Sequence, residues 1–156
     1  MFGFGSKKLV LSAPVEGKIV DITEVEDPVF AGKMMGDGFA VEPAEGVNTV
    51  CSPCDAKVML VPDTMHAVAL EKNGVELLLH VGIDTVSMRG KGFEALVKAG
   101  DKVDAGQPLL KFDNDKIAEA GKNSITMLVV TNQDDAVESA EKNLGNSEEV
   151  MTLTLK

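Results

Sequence analysis

The sequence has no tryptophan, no tyrosine, two histidines and two cysteines, and no apolar run reaches the roughly 18 residues a membrane helix needs. Each shortage removes a class of protein. With neither a membrane span nor a signal peptide, the chain is read as cytoplasmic, with no stable membrane insertion. Basic residues are scarce as well: 15 Lys and Arg stand against 25 Asp and Glu, a net charge of −10. That balance argues against nucleic acid and anionic membranes and favours a basic protein partner. The cysteines form a single C-x-x-C, Cys51-Ser52-Pro53-Cys54. No finger-spaced histidines accompany it and no βαβ pattern surrounds it, so reduced structural cysteines are expected.

What remains is a chain of 156 residues, 44% of them apolar, in which Gly and Pro punctuate short runs. This is the pattern of an all-β fold, an antiparallel β-sandwich or barrel-like arrangement with short helical turns. The length suits one domain, residues 7–156, behind a glycine-rich start, residues 1–6 (MFGFGS), expected to be flexible, its two phenylalanines at most weak contacts for a membrane or partner. Residues 13–22 (APVEGKIVDI) and 52–60 (SPCDAKVML) share one plan of small residue, proline, acid, small residue, lysine and β-branched residue. Two related turn-strand units are expected. Residues 92–99 read as a helical turn and 100–112 as a turn-rich strand pair. Residues 113–120 read as a helix capped by Asp113 and closed by Gly121. Residues 124–131 form a buried strand, 134–143 a polar helical stretch, and 150–155 a final strand at a sheet edge.

Chemistry concentrates in residues 75–90 (VELLLHVGIDTVSMRG). With period two, Val75, Leu77, Leu79 and Val81 share a core face, and Glu76, Leu78, His80 and Gly82 the other. The preceding residues 63–71 (DTMHAVALE) also alternate, and Lys72-Asn73-Gly74 completes a hairpin signal. A two-residue Asn73-Gly74 loop pairs Lys72 with Val75 and sends His66 and His80 to opposite faces. A three-residue loop with a bulge at Gly74 pairs His66 with His80. The hydrophobic pattern favours the second, placing Met65, Ala67 and Ala69 with Leu77, Leu79 and Val81. Two rings so opposed would share one small anionic ligand. The alternative is two unrelated surface or core histidines.

The string LLLHVGIDTV, followed by Arg89-Gly90-Lys91-Gly92-Phe93-Glu94, closely resembles the active-site segment of the glucose-family enzyme IIA domains of the bacterial phosphoenolpyruvate-dependent sugar phosphotransferase system. Thr64-Met65-His66-Ala67 resembles that family's Thr-x-His-Ala segment, and Gly36-Asp37-Gly38 its GDG loop. The resemblance runs from Ala13-Pro14 to Leu155, with the loop between the two histidine segments one residue shorter than in familiar members. It implies a phosphocarrier: His80 accepts a phosphoryl group from phospho-HPr through Nε2 and passes it to an enzyme IIB domain of a sugar permease. By the same resemblance His66 holds the phosphoryl oxygens and Thr64 orients His66. The Gly82 carbonyl holds the Nδ1 proton of His80, and Asp84 flanks the site. Val29, Phe30, Met34 and Met35, with Leu78 and Val86 and the nearby Asp27, form the partner-docking collar. The bland reading of residues 24–38 is a loop tucking apolar side chains into the core. No cofactor is required, although zinc held between His66 and His80 at a partner interface fits the chemistry. Regulatory partners fit too, because added phosphate charge on an apolar surface switches contacts.

Two other classes compete. His66, His80 and Asp84 offer a zinc-hydrolase ligand set, against which stands the lack of a third histidine or an H-x-H segment. The VKAGDKVDAGQPLL pattern suggests a lipoyl- or biotinyl-type carrier, with Asp115-Lys116-Ile117 a partial match to its modified-lysine setting. Neither the sugar nor the protein's regulatory targets can be read from these residues. A start at Met1 favours a free protein over a domain cut from a permease.

Overall fold

The computed structural model describes residues 7–156; the expectations for residues 1–6 lie outside them. Thirteen strands form three sheets: β1 (Lys8–Leu11), β2 (Gly17–Asp21), β3 (Asp37–Pro43), β4 (Thr49–Cys51), β5 (Ala56–Leu60), β6 (Ala67–Lys72), β7 (Val75–Ile83), β8 (Phe93–Ala95), β9 (Lys102–Val103), β10 (Pro108–Phe112), β11 (Asn123–Val130), β12 (Val137–Lys142) and β13 (Met151–Leu155). A seven-stranded sheet runs β2-β3-β11-β7-β6-β5-β9, and two three-stranded sheets run β1-β13-β12 and β4-β10-β8. All recorded strand pairings are antiparallel. The all-β sandwich expected from the short runs is therefore the fold.

One face of the large sheet closes the main core. Phe39 and Val41, Leu128 and Val130, Leu77, Leu79 and Val81, and Val68 and Leu70 meet Leu9, Leu11, Met151 and Leu153 from one small sheet and Val50, Leu109, Leu110 and Phe112 from the other. Burying each such side chain contributes about 1.5–3 kcal/mol, so this layer supplies most of the drive to fold. The opposite face is covered only in part. Residues 22–36 fold over its β2-β3-β11 end, placing Ile22, Val25 and Phe30 on Val20, Ala40, Met127 and Val129.

The two turn-strand units expected to be related contact each other. Ser12 N–H donates to the Pro53 carbonyl at 3.0 Å, and Cys51 N–H donates to the Pro14 carbonyl at 2.8 Å. The two proline turns thus hold each other reciprocally. Each turn then launches a strand of the large sheet, β2 and β5. Both cysteines are free, Cys54 is buried, and burial pushes its thiol up to about 11. An unreactive packing thiol is the consequence.

Four local expectations are corrected. Residues 92–99 hold strand β8 rather than a helical turn, because Phe93 is drawn into the core beside Phe112. β9 and β10 do not pair together: β9 joins β5, and β10 lies between β4 and β8. Residues 134–143 form only a short helix, α3 (Gln133–Ala136), before β12, which pairs with β13. β13 is consequently central in its sheet, flanked by β1 and β12, and not an edge. The other α-helices among the described residues are α1 (Pro28–Ala31), capped by Asp27, and α2 (Asn114–Glu119), whose cap Asp113 accepts from Asp115 and Lys116 N–H as anticipated.

Candidate functional site

The two histidines stand on the partly covered face of the large sheet, beside the segment 22–36. Asn73 and Gly74 have φ of 52° and 84°, the two left-handed residues of a two-residue hairpin turn. The turn accordingly pairs Lys72 with Val75 and Ala67 with His80. This corrects the expected pairing of His66 with His80. It also moves β6 by one residue, so that Val68 and Leu70 enter the main core while Ala67 and Ala69 share the face of His80.

The rings nevertheless meet, with centroids 4.7 Å apart and planes at 84°. The reason lies just before the strand. β6 begins at Ala67, and Met65, at φ 53°, is left-handed within a turn closed by its N–H on the Pro62 carbonyl. Strand alternation does not extend through such a turn, so His66 is free of the face that period two would assign it. Its carbonyl still accepts from Val81 N–H at 2.8 Å. The Thr64 hydroxyl lies 2.6 Å from Nδ1 of His66 and fixes the ring.

His66 is buried at 7% exposure, whereas His80 keeps part of its surface open. The Phe30 ring closes on the other side of His80, centroids 5.1 Å apart. Burial, then the neighbouring His66, takes the His80 pKa from 6.5 down to about 4, against an opposing pull from the Gly82 backbone and Asp27. Burial lowers that of His66 as well. Both rings are neutral at neutral pH. Nδ1 of His80 is buried without a hydrogen-bond partner, and the Gly82 backbone opposes the lowering of the ring's pKa.

Gly82 is required sterically. At φ 83°, any Cβ would run into the Thr85 side chain and the Asn123 carbonyl. Thr85 is fully buried and donates to the Val81 carbonyl, which locks the turn after the histidine strand. Asp84 points outward with its side chain 61% exposed and pairs with Lys122 at 2.6 Å.

Of the expected collar, Val29, Met34 and Val86 are exposed at 41%, 76% and 49%. Phe30 is buried against His80, Met35 packs on the secondary core, and Leu78 is half-buried beside it. Asp27 accepts from Val29 N–H at 2.9 Å, which starts α1. The loop thus does both jobs weighed from the sequence: Phe30 and Met35 tuck in while Val29 and Met34 face out.

Two features escaped sequence reasoning. Gly36 and Gly38 let β3 press against β11, since a Cβ on either would collide with the Val130 or Leu128 carbonyl. Between them Asp37 accepts from Lys142, on the far side of the sandwich, at 2.7 Å. The GDG loop is therefore an assembly element.

Asp84 is taken up by Lys122, and among the described residues no group of three or more His, Cys, Asp or Glu could hold a metal ion. Lys116 sits in helix α2 instead of at a hairpin tip. No helix among the described residues is long and apolar enough to cross a membrane.

The family model described as phosphoenolpyruvate-dependent sugar phosphotransferase system, EIIA 1, matches residues 9–136. The chain belongs to this family. Among EIIA relatives, the glucose-specific EIIA component of Bacillus cereus is 47% identical, over 100% of this chain and 98% of its own length. The glucose-specific EIICBA component of Staphylococcus carnosus is 51% identical over 79% of this chain, which matches only 18% of that longer protein. The solved structure of glucose permease IIA from Mycoplasma capricolum superposes with a TM-score of 0.81 at 34% identity, covering 97% of this EIIA chain and 99% of that one.

Proposed function

We propose that this EIIA chain carries a phosphoryl group on Nε2 of His80, taking it from phospho-HPr and giving it to an enzyme IIB domain of a sugar permease. The observation that carries the reading is the pair of neutral imidazoles held edge to face at 4.7 Å on an otherwise apolar face. A neutral imidazole whose Nδ1 carries the proton presents the Nε2 lone pair without needing a separate base. In the transfer, the P–N bond to the donor imidazole breaks as the Nε2–P bond forms, and the Nδ1 proton of His80 stays in place facing Gly82.

His66 supplies the donor for the phosphoryl oxygens. The Thr64 hydroxyl lies 2.6 Å from Nδ1 of His66; in this reading it donates to Nδ1, which leaves the ring proton on Nε2 for the developing charge. The intermediate must outlast the exchange of partners, so nearby carboxylates should not activate water. Asp27 is engaged by the Val29 N–H and Asp84 by Lys122. Val29, Met34 and Val86 offer the apolar rim on which donor and acceptor dock in turn, Met34 adapting to both.

Glucose is the sugar that the relatives' names favour, and the Staphylococcus carnosus protein, whose name joins A to B and C components, supports a IIB partner. Zinc captured at an interface would need ligands from the partner, since two imidazoles fill half of a tetrahedral set.

The test is intact mass after incubation with phosphoenolpyruvate, enzyme I and HPr. One acid-labile phosphoryl group is expected, absent in His80→Ala. Phosphorylation of His80→Ala by phospho-HPr would refute the assignment. His66→Ala should still accept the group but pass it on poorly, and full onward transfer would remove the role given to His66.

A further inference from the structure

We propose that Lys142 is a positioning residue for the histidine site, acting as a clamp that closes both ends of the collar formed by residues 22–36. The inference rests on the reading of His80 as the phosphoryl acceptor. Its Nζ lies 2.7 Å from Oδ1 of Asp21, which immediately precedes the collar, and 2.7 Å from Oδ1 of Asp37, which immediately follows it. A single ammonium from β12, in a different sheet, thus pins the two points where the loop leaves and rejoins the large sheet.

Strand pairing fixes the backbone at both ends, Asp21 opposite Phe39 and Asp37 opposite Val130, and Asp37 N–H donates to the Gln133 side chain at 3.3 Å; between those ends the segment is held differently. Its turn hydrogen bonds run within it: Val25 to Ile22, Ala31 to Asp27, Gly32 to Pro28, Lys33 to Phe30, Met34 to Val29 and Gly36 to Lys33. Apolar packing of Ile22, Val25 and Phe30 holds its middle to the sheet, but such packing is non-directional and sets no register. The clamp is directional and sheltered. The side chains of Lys142, Asp21 and Asp37 are 19%, 28% and 19% exposed, so the attraction is less screened than at an open surface.

The remaining partners complete the picture. Asp21 also accepts from the Thr23 N–H and hydroxyl, Asp37 from Gly38 N–H, and Lys33 approaches Asp37 at 3.6 Å. Burial raises the Asp21 pKa, but Lys142 and Thr23 more than reverse this and bring it to about 2. Without Lys142, Asp21 and Asp37 become two half-buried like charges at the loop mouth, with Lys33 the weak remaining counter-charge. They repel, and Phe30 loses its fixed place on the His80 ring, 5.1 Å away between centroids.

The experiment compares wild type, Lys142→Met and Lys142→Arg by amide hydrogen exchange and by NMR titration of the His80 ring. In Lys142→Met, amides of the collar should exchange about tenfold faster while β7 and β11 stay within about twofold. The His80 pKa should climb from about 4 toward 6.5 as Phe30 loosens and water enters. Lys142→Arg, which keeps the charge and reaches both carboxylates, should restore both readouts. Collar exchange and a His80 titration unchanged in Lys142→Met, or acceleration shared equally by β11, would overturn the clamp. Should Lys142→Met not fold, Asp37→Asn frees only the C-terminal end, and faster exchange must then be confined to residues 33–36. Neither readout needs a phosphoryl donor, so a wild-type chain that takes no phosphoryl group defeats the acceptor reading and leaves the clamp to be judged on its own data.

Discussion

The two faces of β7 differ in kind although their residues alternate one by one. On the inner face Val75, Leu77, Leu79 and Val81 are wholly buried, filled in by side chains from all three sheets. On the outer face Leu78 and His80 remain partly open, bordered by the small Ala67 and Ala69 and capped at one side by Phe30. The inner face is redundant, since many neighbours specify each position. The outer face is sparse: His80 is flanked by Ala67 of β6 and Met127 of β11, while the rings against it come from Phe30 of α1 and from His66 in the turn before β6. The core thus lies on one side of the strand and the proposed phosphoryl site on the other.

Substitutions can sharpen or break that contrast. Leu79→Ala, on the inner face, should cost about 2–5 kcal/mol in chemical denaturation; a loss under about 1 kcal/mol would show that the inner layer is not the principal core. The outer face should show itself through pH instead. His80 binds its proton less readily when folded, at about 4 against 6.5, so between these values the unfolded chain holds more protons and stability falls as pH drops. The change should reach roughly 2 kcal/mol by pH 4, taking about 1.4 kcal/mol per unit and discounting for the open part of the ring. His80→Gln should flatten this window, and an unchanged pH dependence would break the link between burial and titration. Asp21 adds a separate, lower window: its depressed pKa supplies stability that is lost from 3.8 down to about 2.

The next effect is smaller. Gly74→Ala places a Cβ at φ 84° with open space around it, so only backbone strain is paid, about 1 kcal/mol. A loss of several kcal/mol in thermal melting would mean that the turn does more than set register. Smallest in stability is Thr64→Val, which should cost about 1 kcal/mol or less for one hydrogen bond. Its main consequence should be slower onward phosphoryl transfer, because His66 loses its fixed tautomer; transfer at the wild-type rate would discharge Thr64 from that role.

The sequence carried the inner face well. Val75, Leu77, Leu79 and Val81 fall at period two on one face, as the structure has them, and Asp113 with Gly121 bracketed α2 correctly. The outer face was legible only as a motif. Its register was misjudged because Met65, Ala67 and Ala69 were counted as core, although alanine buries too little surface to outweigh Val68 and Leu70. The meeting of the histidines depends on a left-handed Met65, for which a methionine gives no sequence signal. β12 was hidden for a different reason: of Val137–Lys142 only Val137 is buried, so its pattern lacks the alternation of a half-buried strand. Lys142 and Asp37 are separated by 105 positions, and no local spacing could have joined them.

The proposed function requires that His80, buried beside His66 and Phe30, be a neutral ring with its proton on Nδ1 and its Nε2 lone pair free. Nitrogen NMR of the imidazoles across pH tests it most directly. His80 should stay neutral down to about pH 4 with a single Nδ1–H tautomer. A ring that titrates near 6.5, or that carries its proton on Nε2, would contradict the account.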